Sequence, residues 1–346
     1  MISRRTFLGG SFPFLLGACS TTEIVRTIES AARGGSISGA VRNIATSKAQ
    51  SWASNPQSLI RDVKRFDSFT QNFLENIITV WGKDDGIAPS KDVMVKYSDQ
   101  YETRSIINFK EGIVRVETLE ARYLKRAIIT TLLSPDDPQD IHLFSADPAT
   151  LKGTPFLYQQ VKDQDQKFIR WQWRAERYAE YLLKTQSRTA ILKLDNGRTR
   201  TQTYVEFPLV MNHTSTRQHK YGDLVSRYAG QYNLQRALVY AVIETESNFN
   251  PYAVSWVPAY GLMQIVPTTA GRDAFEVVHG QAGTPSRDYL FNAQNNIRMG
   301  CAYLHLLNTR YLVGVQNPLS REYCIIAGYN GGAGNVLKSF HSRKSQ

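Results

Sequence analysis

The sequence has few cysteines and no long apolar run. Its three cysteines among 346 residues cannot form a disulfide framework, and no CxxC pair indicates a structural zinc site. No apolar stretch reaches the roughly 18 residues that a membrane-spanning helix needs, which excludes a polytopic membrane protein. Hydrophobic residues make up 42% and charged residues 21% of the chain, so a disordered or low-complexity chain is also excluded.

Acidic residues are outnumbered by basic ones. The sequence has 41 Lys and Arg against 30 Asp and Glu, a formal net charge of +11. This excess favours an anionic partner, which could be nucleic acid, anionic lipid or an acidic cell-wall polymer. No nucleic-acid-binding motif accompanies the charge, so we expect no nucleic acid partner.

The N-terminus has the parts of an export signal. Residues 1–18 combine a basic start, a short apolar segment and small residues. Leu16-Gly17-Ala18-Cys19 resembles the lipobox of bacterial lipoproteins. This resemblance predicts that the mature chain begins at a lipidated Cys19 and that the lipid anchors the protein in a membrane. Ser20 stands where Asp would mark retention in the inner membrane, so we expect the outer membrane, facing the periplasm. The string Ser3-Arg4-Arg5-Thr6-Phe7-Leu8 also resembles a twin-arginine signal, and both export routes remain open.

The mature chain divides into a tether and two domains. Residues 19–56 are rich in Ser, Thr, Ala and Gly and read as a tether. Residues 57–210 mix helical stripes with two hairpin signals, which predicts an α+β domain with an antiparallel sheet. Residues 211–220 are polar and aperiodic and are interpreted as the boundary. Residues 220–346 read as helical throughout.

One predicted helix, from Gln235 to Glu246, carries a candidate catalytic carboxylate. At 100° per residue, Glu246 falls within the apolar arc of Leu238, Val239, Val242 and Ile243, whereas Glu244 lies about 160° away. Burial in that arc would raise the pKa of Glu246, as a general acid near neutrality requires. Helix geometry alone leaves open that Glu246 points into solvent.

Polar groups follow this helix in places suited to a sugar ligand. Ser255 and Gln264 offer a hydroxyl and an amide, and Tyr329 and Asn330 precede glycines where a late helix ends. The six histidines have no ligand spacing, so we expect no metal site. Cys301 and Cys324 lie among apolar residues, which favours buried free thiols and leaves a disulfide open.

The helical region resembles the family 1 lytic transglycosylases, which have a goose-type lysozyme fold. The resemblance rests on an ordered set of strings: Glu246-Ser247, Asn250-Pro251, Ser255, Gly261-Leu262-Met263-Gln264, Pro267 with Thr268-Thr269-Ala270, Asn296-Ile297, Gly300, Tyr303-Leu304 and Tyr329-Asn330-Gly331-Gly332-Ala333-Gly334. Two strings of the preceding segment, Tyr101-Glu102-Thr103-Arg104-Ser105 and Pro155-Phe156-Leu157-Tyr158, resemble a membrane-bound branch of this family. The expected architecture is therefore an α+β N-terminal domain followed by an all-α lysozyme-like catalytic domain.

The resemblance implies a reaction and a set of residues. Glu246 would be the sole acid and base in cleavage of the bond between N-acetylmuramic acid and N-acetylglucosamine in peptidoglycan, leaving 1,6-anhydro ends. Ser255 and Gln264 would bind the sugars, and Tyr329 and Asn330 would orient Glu246 and the substrate. No cofactor is implied.

Three departures from the family pattern leave alternatives open. Pro258 and Tyr260 stand where small residues are usual, and Gly328 replaces an Ala. Relatives continue beyond the Tyr329 segment with a further helical stretch, so we expect either that the C-terminal cleft wall is missing here or that the sequence is a truncated version. The alternatives are a peptidoglycan-binding lipoprotein without activity and a module that binds an inhibitor or partner through residues 57–210.

Overall fold

The structure is a computed structural model, and it describes residues 68–194, 197–255 and 259–341. The predicted signal peptide, the lipid attachment at Cys19 and the tether lie outside the described residues. So do Pro258 and the turn residues Asp195 and Asn196. No helix of the described part is long and apolar enough to cross a membrane.

The N-terminal part is an α+β domain, as predicted. Its elements are α1 (Ser68–Asp85), β1 (Val93–Ser98), β2 (Thr103–Asn108), β3 (Ile113–Thr118), α2 (Leu124–Leu132), α3 (Gln172–Thr185), β4 (Arg188–Lys193) and β5 (Thr199–Pro208). The strands form one antiparallel sheet in the order β1-β2-β3-β5-β4. Both predicted hairpins are therefore confirmed.

The first hairpin turn explains its glycine. Gly112 has a φ of +68°, in the left-handed region that disfavours side chains, and a Cβ there would lie 3.1 Å from His213 Nε2. The stripe Phe73, Ile77 and Trp81 of α1 is buried, as its three- and four-residue spacing predicts.

The C-terminal part is helical among the residues described. Its elements are α4 (His213–Lys220), α5 (Gly222–Gln231), α6 (Arg236–Ser247), α7 (Ala270–His279), α8 (Arg287–Phe291), α9 (Ala293–Leu306), α10 (Pro318–Gly331) and α11 (Ala333–His341). The helix predicted from Gln235 to Glu246 corresponds to α6, and the elements of the described part of residues 220–346 confirm that this region is helical. Cys301 on α9 and Cys324 on α10 are buried free thiols.

Residues 211–220, interpreted as an aperiodic boundary, contain helix α4. The segment has no apolar stripe, so periodicity could not reveal it. Arg217 of α4 is fully buried instead, and its guanidinium contacts both domains. It donates to Gln160 Oε1 at 3.0 Å on one side and to the Asn248 carbonyl oxygen at 3.2 Å on the other. Helix α4 thus joins the sheet domain to the end of α6.

Candidate active site

Glu246 lies in the last turn of α6 and is half-buried. Val239, Val242 and Ile243 on the same face are buried. Burial raises the pKa of Glu246 from its ordinary 4.5 to about 7, and the positive charge of Lys91 opposes this rise. The carboxyl group is therefore close to half protonated at neutral pH.

Glu244, two residues earlier on the same helix, is exposed. The contrast follows from helix geometry, because a two-residue step turns the side chain by about 200°. The prediction that the apolar arc shields Glu246 and leaves Glu244 outside is confirmed.

The residue after Glu246 fixes the end of the helix. The hydroxyl of Ser247 is buried, 2.9 Å from the Ile243 carbonyl oxygen and 2.7 Å from the Leu262 carbonyl oxygen. Asn248 then adopts a φ of 51° and ends the helix in the left-handed conformation. The Glu-Ser pair therefore ties the carboxylate-bearing turn to the loop that contains Leu262.

The loop from Gly261 to Gln264 is held by Asn296 of α9. The Asn296 side chain is buried; it accepts from the Met263 N–H at 2.7 Å and donates to the carbonyl oxygens of Tyr260 and Leu290 at 2.7 and 2.8 Å. Gly261 has a φ of +74°, and a Cβ there would lie 2.5 Å from Asn296 Nδ2. This close approach explains why the loop requires glycine at its first position.

Gln264 braces the same loop from within. Its side-chain amide donates to the carbonyl oxygens of Ala253 and Gly261, both at 3.0 Å. Ser255 is half-buried, and its hydroxyl accepts from the Ala259 N–H at 3.3 Å. Both predicted sugar-binding residues therefore also contribute to the shape of the loop.

Tyr329 connects α10 to this loop. Its hydroxyl donates to the Met263 carbonyl oxygen at 2.8 Å, and its ring lies 5.6 Å from that of Tyr303. Burial raises the pKa of the Tyr329 phenol well above 10, and the negative charge of Glu246 adds to the rise. The structure therefore brings Tyr329 and Glu246 together, whereas Asn330 is exposed on the surface of α10.

The structure explains why Gly328 can replace the Ala that is usual in the family pattern. A Cβ at Gly328 would meet Leu307 and Leu312 side-chain carbons at 3.4 and 3.5 Å, which are ordinary van der Waals distances. The site would therefore accept the usual Ala, and Gly328 leaves the position of Tyr329 unchanged.

Sequence reasoning missed Lys91, which comes from the N-terminal domain just before β1. Its Nζ donates to the Thr245 carbonyl oxygen at 3.3 Å, and its own carbonyl oxygen accepts from Asn250 Nδ2 at 3.2 Å. These bonds place a cation beside the residue that precedes Glu246. No sequence signal could have found it, because the contact joins residues about 150 positions apart.

The described residues contain no group of three or more His, Cys, Asp or Glu that could hold a metal ion. Lys91 is also the only charge that contributes to the pKa shift of Glu246 in the described part of the chain. The arrangement is thus one carboxyl group that can give and take a proton near neutral pH, enclosed by apolar side chains, a phenol and one cation.

Comparison with known proteins agrees with this geometry. Residues 59–220 match the family of the N-terminal domain of membrane-bound lytic murein transglycosylase C, and residues 223–346 match the transglycosylase SLT domain. Two proteins named membrane-bound lytic murein transglycosylase C are 46% identical over 295 residues, which is 83% of this chain and 80% of theirs; they come from Yersinia pestis (strain Pestoides F) and Yersinia pseudotuberculosis serotype O:1b (strain IP 31758).

A solved structure of an inactive mutant of the lytic transglycosylase Slt from Pseudomonas aeruginosa is 27% identical, with a TM-score of 0.30, over 36% of this chain and 19% of its own. Together, the two domain matches and the 46% identity show that the chain belongs to the membrane-bound lytic murein transglycosylase C family.

Proposed function

We propose that Glu246 is the single catalytic acid and base of this lytic murein transglycosylase, a lyase that cleaves peptidoglycan. The observation that carries the proposal is the half-buried Glu246 carboxyl group with its pKa of about 7, facing Tyr329 at the end of α6. An ordinary glycosidase needs a second carboxylate. In this proposal the 2-acetamido group of the substrate takes that second role, as the resemblance to the lytic transglycosylases implies.

In the first step, protonated Glu246 gives its proton to the oxygen between N-acetylmuramic acid and N-acetylglucosamine. The bond between this oxygen and the anomeric carbon of the muramoyl unit breaks as the 2-acetamido oxygen of the same unit bonds to that carbon. The product of this step is an oxazolinium intermediate. The Glu246 carboxylate that remains is stabilised by the positive charge of Lys91.

In the second step, the C6 hydroxyl of the same sugar attacks the anomeric carbon and passes its proton to the Glu246 carboxylate. The acetamido group is restored, a 1,6-anhydro ring closes and Glu246 is protonated again. No water enters the product, so the reaction is a lyase reaction rather than a hydrolysis.

In this proposal the remaining site residues either bind the substrate or position Glu246. Asn330 is exposed and can bind substrate directly. Ser255 and Gln264 bind the sugars with those polar atoms that face the cleft while their bonds to the loop keep it in shape. Tyr329 orients Glu246 through its position on the Met263 carbonyl.

Analysis of the products tests the reaction. Purified sacculi are digested with the protein and the released muropeptides are identified by mass spectrometry. Ends carrying 1,6-anhydro-N-acetylmuramic acid are expected. Reducing ends would show that the protein is a hydrolase, and unchanged sacculi would show that it only binds.

The family name supports association with a membrane. We propose more specifically that a lipid on Cys19 anchors the protein in the outer membrane, facing the periplasm, as Leu16-Gly17-Ala18-Cys19 predicts. Cys19→Ala should move the protein from the membrane fraction to the soluble periplasmic fraction. A variant that stays in the membrane fraction would contradict the anchor.

A further inference from the structure

Two tryptophans are exposed on the N-terminal domain, away from any role in the mechanism. Trp171 is 58% exposed and Trp173 is 53% exposed, at the start of α3. Tryptophan is enriched at interfaces, where its large ring meets a partner. Each indole also has a cation beside it: the Arg170 guanidinium lies 5.0 Å from the Trp171 ring, and that of Arg174 lies 4.5 Å from the Trp173 ring.

Arg174 fixes the position of the Trp173 side chain. Arg174, which lies over its ring, is half-buried and forms an ion pair with the buried carboxylate of Asp163. This pair holds the guanidinium, so one face of the indole is fixed to the domain. The aromatic pair is therefore part of an ordered surface.

The residue between the two tryptophans, Gln172, lines a groove between α2 and α3 with a volume of about 550 Å³. We call this surface, with its two tryptophans, the basic–aromatic groove. It is lined by Arg122, Lys125, Arg126, Ile129, Thr130, Leu151, Gln172 and Glu176. Three cations and one carboxylate thus share this surface, and every lining residue belongs to the N-terminal domain. Trp171 and Trp173 do not line the groove, but they flank the lining residue Gln172 in the sequence.

We propose that the basic–aromatic groove is a second binding site for the peptidoglycan strand, separate from the Glu246 site. The inference rests on the proposed function, which makes this polymer the substrate. Indole faces stack on the apolar faces of sugar rings, and Arg122 offers charge to the carboxylates of the peptide stems. Lys125 and Arg126, which pair with Glu180 and Asp99, would exchange these partners for stem carboxylates. Glu176 offers an acceptor for stem amino groups and sugar hydroxyls.

The charges favour a glycan strand over an anionic bilayer. Glu176 and Glu180 lie on the same helix as the tryptophans, and Glu180 pairs with Lys125 at 2.8 Å. These carboxylates would repel anionic lipid headgroups, whereas a peptide stem carries both amino and carboxyl groups. The groove is also concave, which fits a polymer chain better than a flat bilayer surface.

A second site would strengthen the binding of the polymer and leave the catalytic step at Glu246 unchanged. Insoluble sacculi would be held at the groove and at the cleft together, so that the effective concentration of substrate at Glu246 rises. A soluble tetrasaccharide without peptide stems would be cleaved at the same rate with or without the groove.

The test compares Trp171→Ala/Trp173→Ala with the unchanged protein on these two substrates. We expect binding to sacculi in sedimentation to weaken roughly five- to tenfold, with a matching rise in KM. The kcat/KM for the tetrasaccharide should stay unchanged, and Trp171→Phe/Trp173→Phe should keep most of the binding. Ile191→Ala is the control, since Ile191 is an apolar residue that is 69% exposed on β4 of the same domain and lies on neither α2 nor α3.

The charges are tested separately, which also guards against misfolding of the tryptophan variant. Arg122→Gln/Lys125→Gln should weaken binding to intact sacculi and leave binding to sacculi stripped of their stems unchanged. Unchanged binding to intact sacculi in both variants would overturn the proposal. So would a loss confined to vesicles of anionic phospholipid, because the groove would then bind membranes. If the unchanged protein left the tetrasaccharide intact, the proposed function would fail, while sedimentation would still decide on the groove.

Discussion

Lys91 and Thr245 link the N-terminal domain to the turn that carries Glu246, with 3.3 Å between the Lys91 Nζ and the Thr245 carbonyl oxygen. The ammonium group lowers the pKa of Glu246 against the larger effect of burial. The sheet domain therefore contributes a charge to a site whose acid, loop and phenol all come from the helical domain. It also supplies Gln160, the partner of Arg217 near the end of the same helix.

Removing this charge should shift the pH dependence of the reaction. The first step needs protonated Glu246, so kcat/KM falls on the alkaline side as pH rises through the pKa of the free enzyme, about 7. In Lys91→Met nothing opposes the effect of burial, so the pKa of Glu246 rises and the alkaline limb moves to higher pH. The measurement is kcat/KM from pH 5 to 9.

Two controls accompany this profile. Lys91→Arg keeps the charge and should keep the limb in place. Lys184→Met removes a charge that is exposed on α3 and does not act on Glu246, so it should also leave the profile unchanged. A limb that stays in place in Lys91→Met would show that the ammonium group does not act on the catalytic carboxyl group.

Gly261→Ala should destabilise the protein and reduce its activity. A Cβ at this position would lie 2.5 Å from Asn296 Nδ2 and 2.6 Å from the Leu290 carbonyl oxygen, at a φ that disfavours Ala. We expect a loss of about 3 kcal/mol in the free energy of unfolding, in the range of strong overpacking with backbone strain.

Gly230→Ala is the matched control for Gly261→Ala. Gly230 lies within α5, and a Cβ there would meet nothing within 4 Å. This substitution should stabilise the protein by about 0.4–1 kcal/mol, since Ala restricts the unfolded chain. Urea denaturation measures both variants, and equal changes would contradict the account of the loop.

Tyr329→Phe should lower kcat by roughly tenfold or more, because a small displacement of reacting groups has such an effect. The substitution leaves the Met263 carbonyl oxygen without its donor at 2.8 Å, which should cost about 1 kcal/mol in the free energy of unfolding. Tyr323→Phe on the same helix is the control, since Tyr323 is 64% exposed. A normal kcat in Tyr329→Phe would leave the hydroxyl with a structural role only.

The parts of this fold that could be predicted from sequence are those set by local periodicity. The hairpin at Gly112 and the arc that shields Glu246 follow from alternation and from 3.6-residue spacing within a few turns of chain. The lysozyme-like fold and the functional strings came from the resemblance to a family, which periodicity alone would not have revealed.

The parts that could not be predicted depend on contacts between distant segments. Lys91 reaches Thr245 across 154 positions, and Arg217 joins Gln160 to Asn248. Helix α4 has no apolar periodicity in its sequence, because it packs through the buried guanidinium of Arg217 and not through an apolar stripe. The sequence predicts that Gln264 binds sugar, but it could not show that the side-chain amide also holds the loop.

The last prediction separates the two glutamates of α6. Glu246→Gln keeps the shape of the side chain but can neither donate nor accept the catalytic proton. It should abolish formation of anhydro ends, with a loss of at least the ~10²–10⁴-fold that general acid–base catalysis contributes. Glu244→Gln changes an exposed side chain and should retain most of the activity.

Measurements of stability then show that Glu246→Gln loses activity because it lacks the catalytic proton and not because it is unfolded. The native pKa of Glu246, about 7, exceeds its unfolded value near 4.5. The wild type therefore loses stability as pH rises through 7, because the ionised carboxylate must be buried, whereas Gln carries no charge to bury. The variant should be at least as stable as the wild type at pH 8, as measured by thermal unfolding, and should still sediment with sacculi. If Glu244→Gln were inactive and Glu246→Gln active, the argument from the helical face and the assignment of the acid would both be wrong.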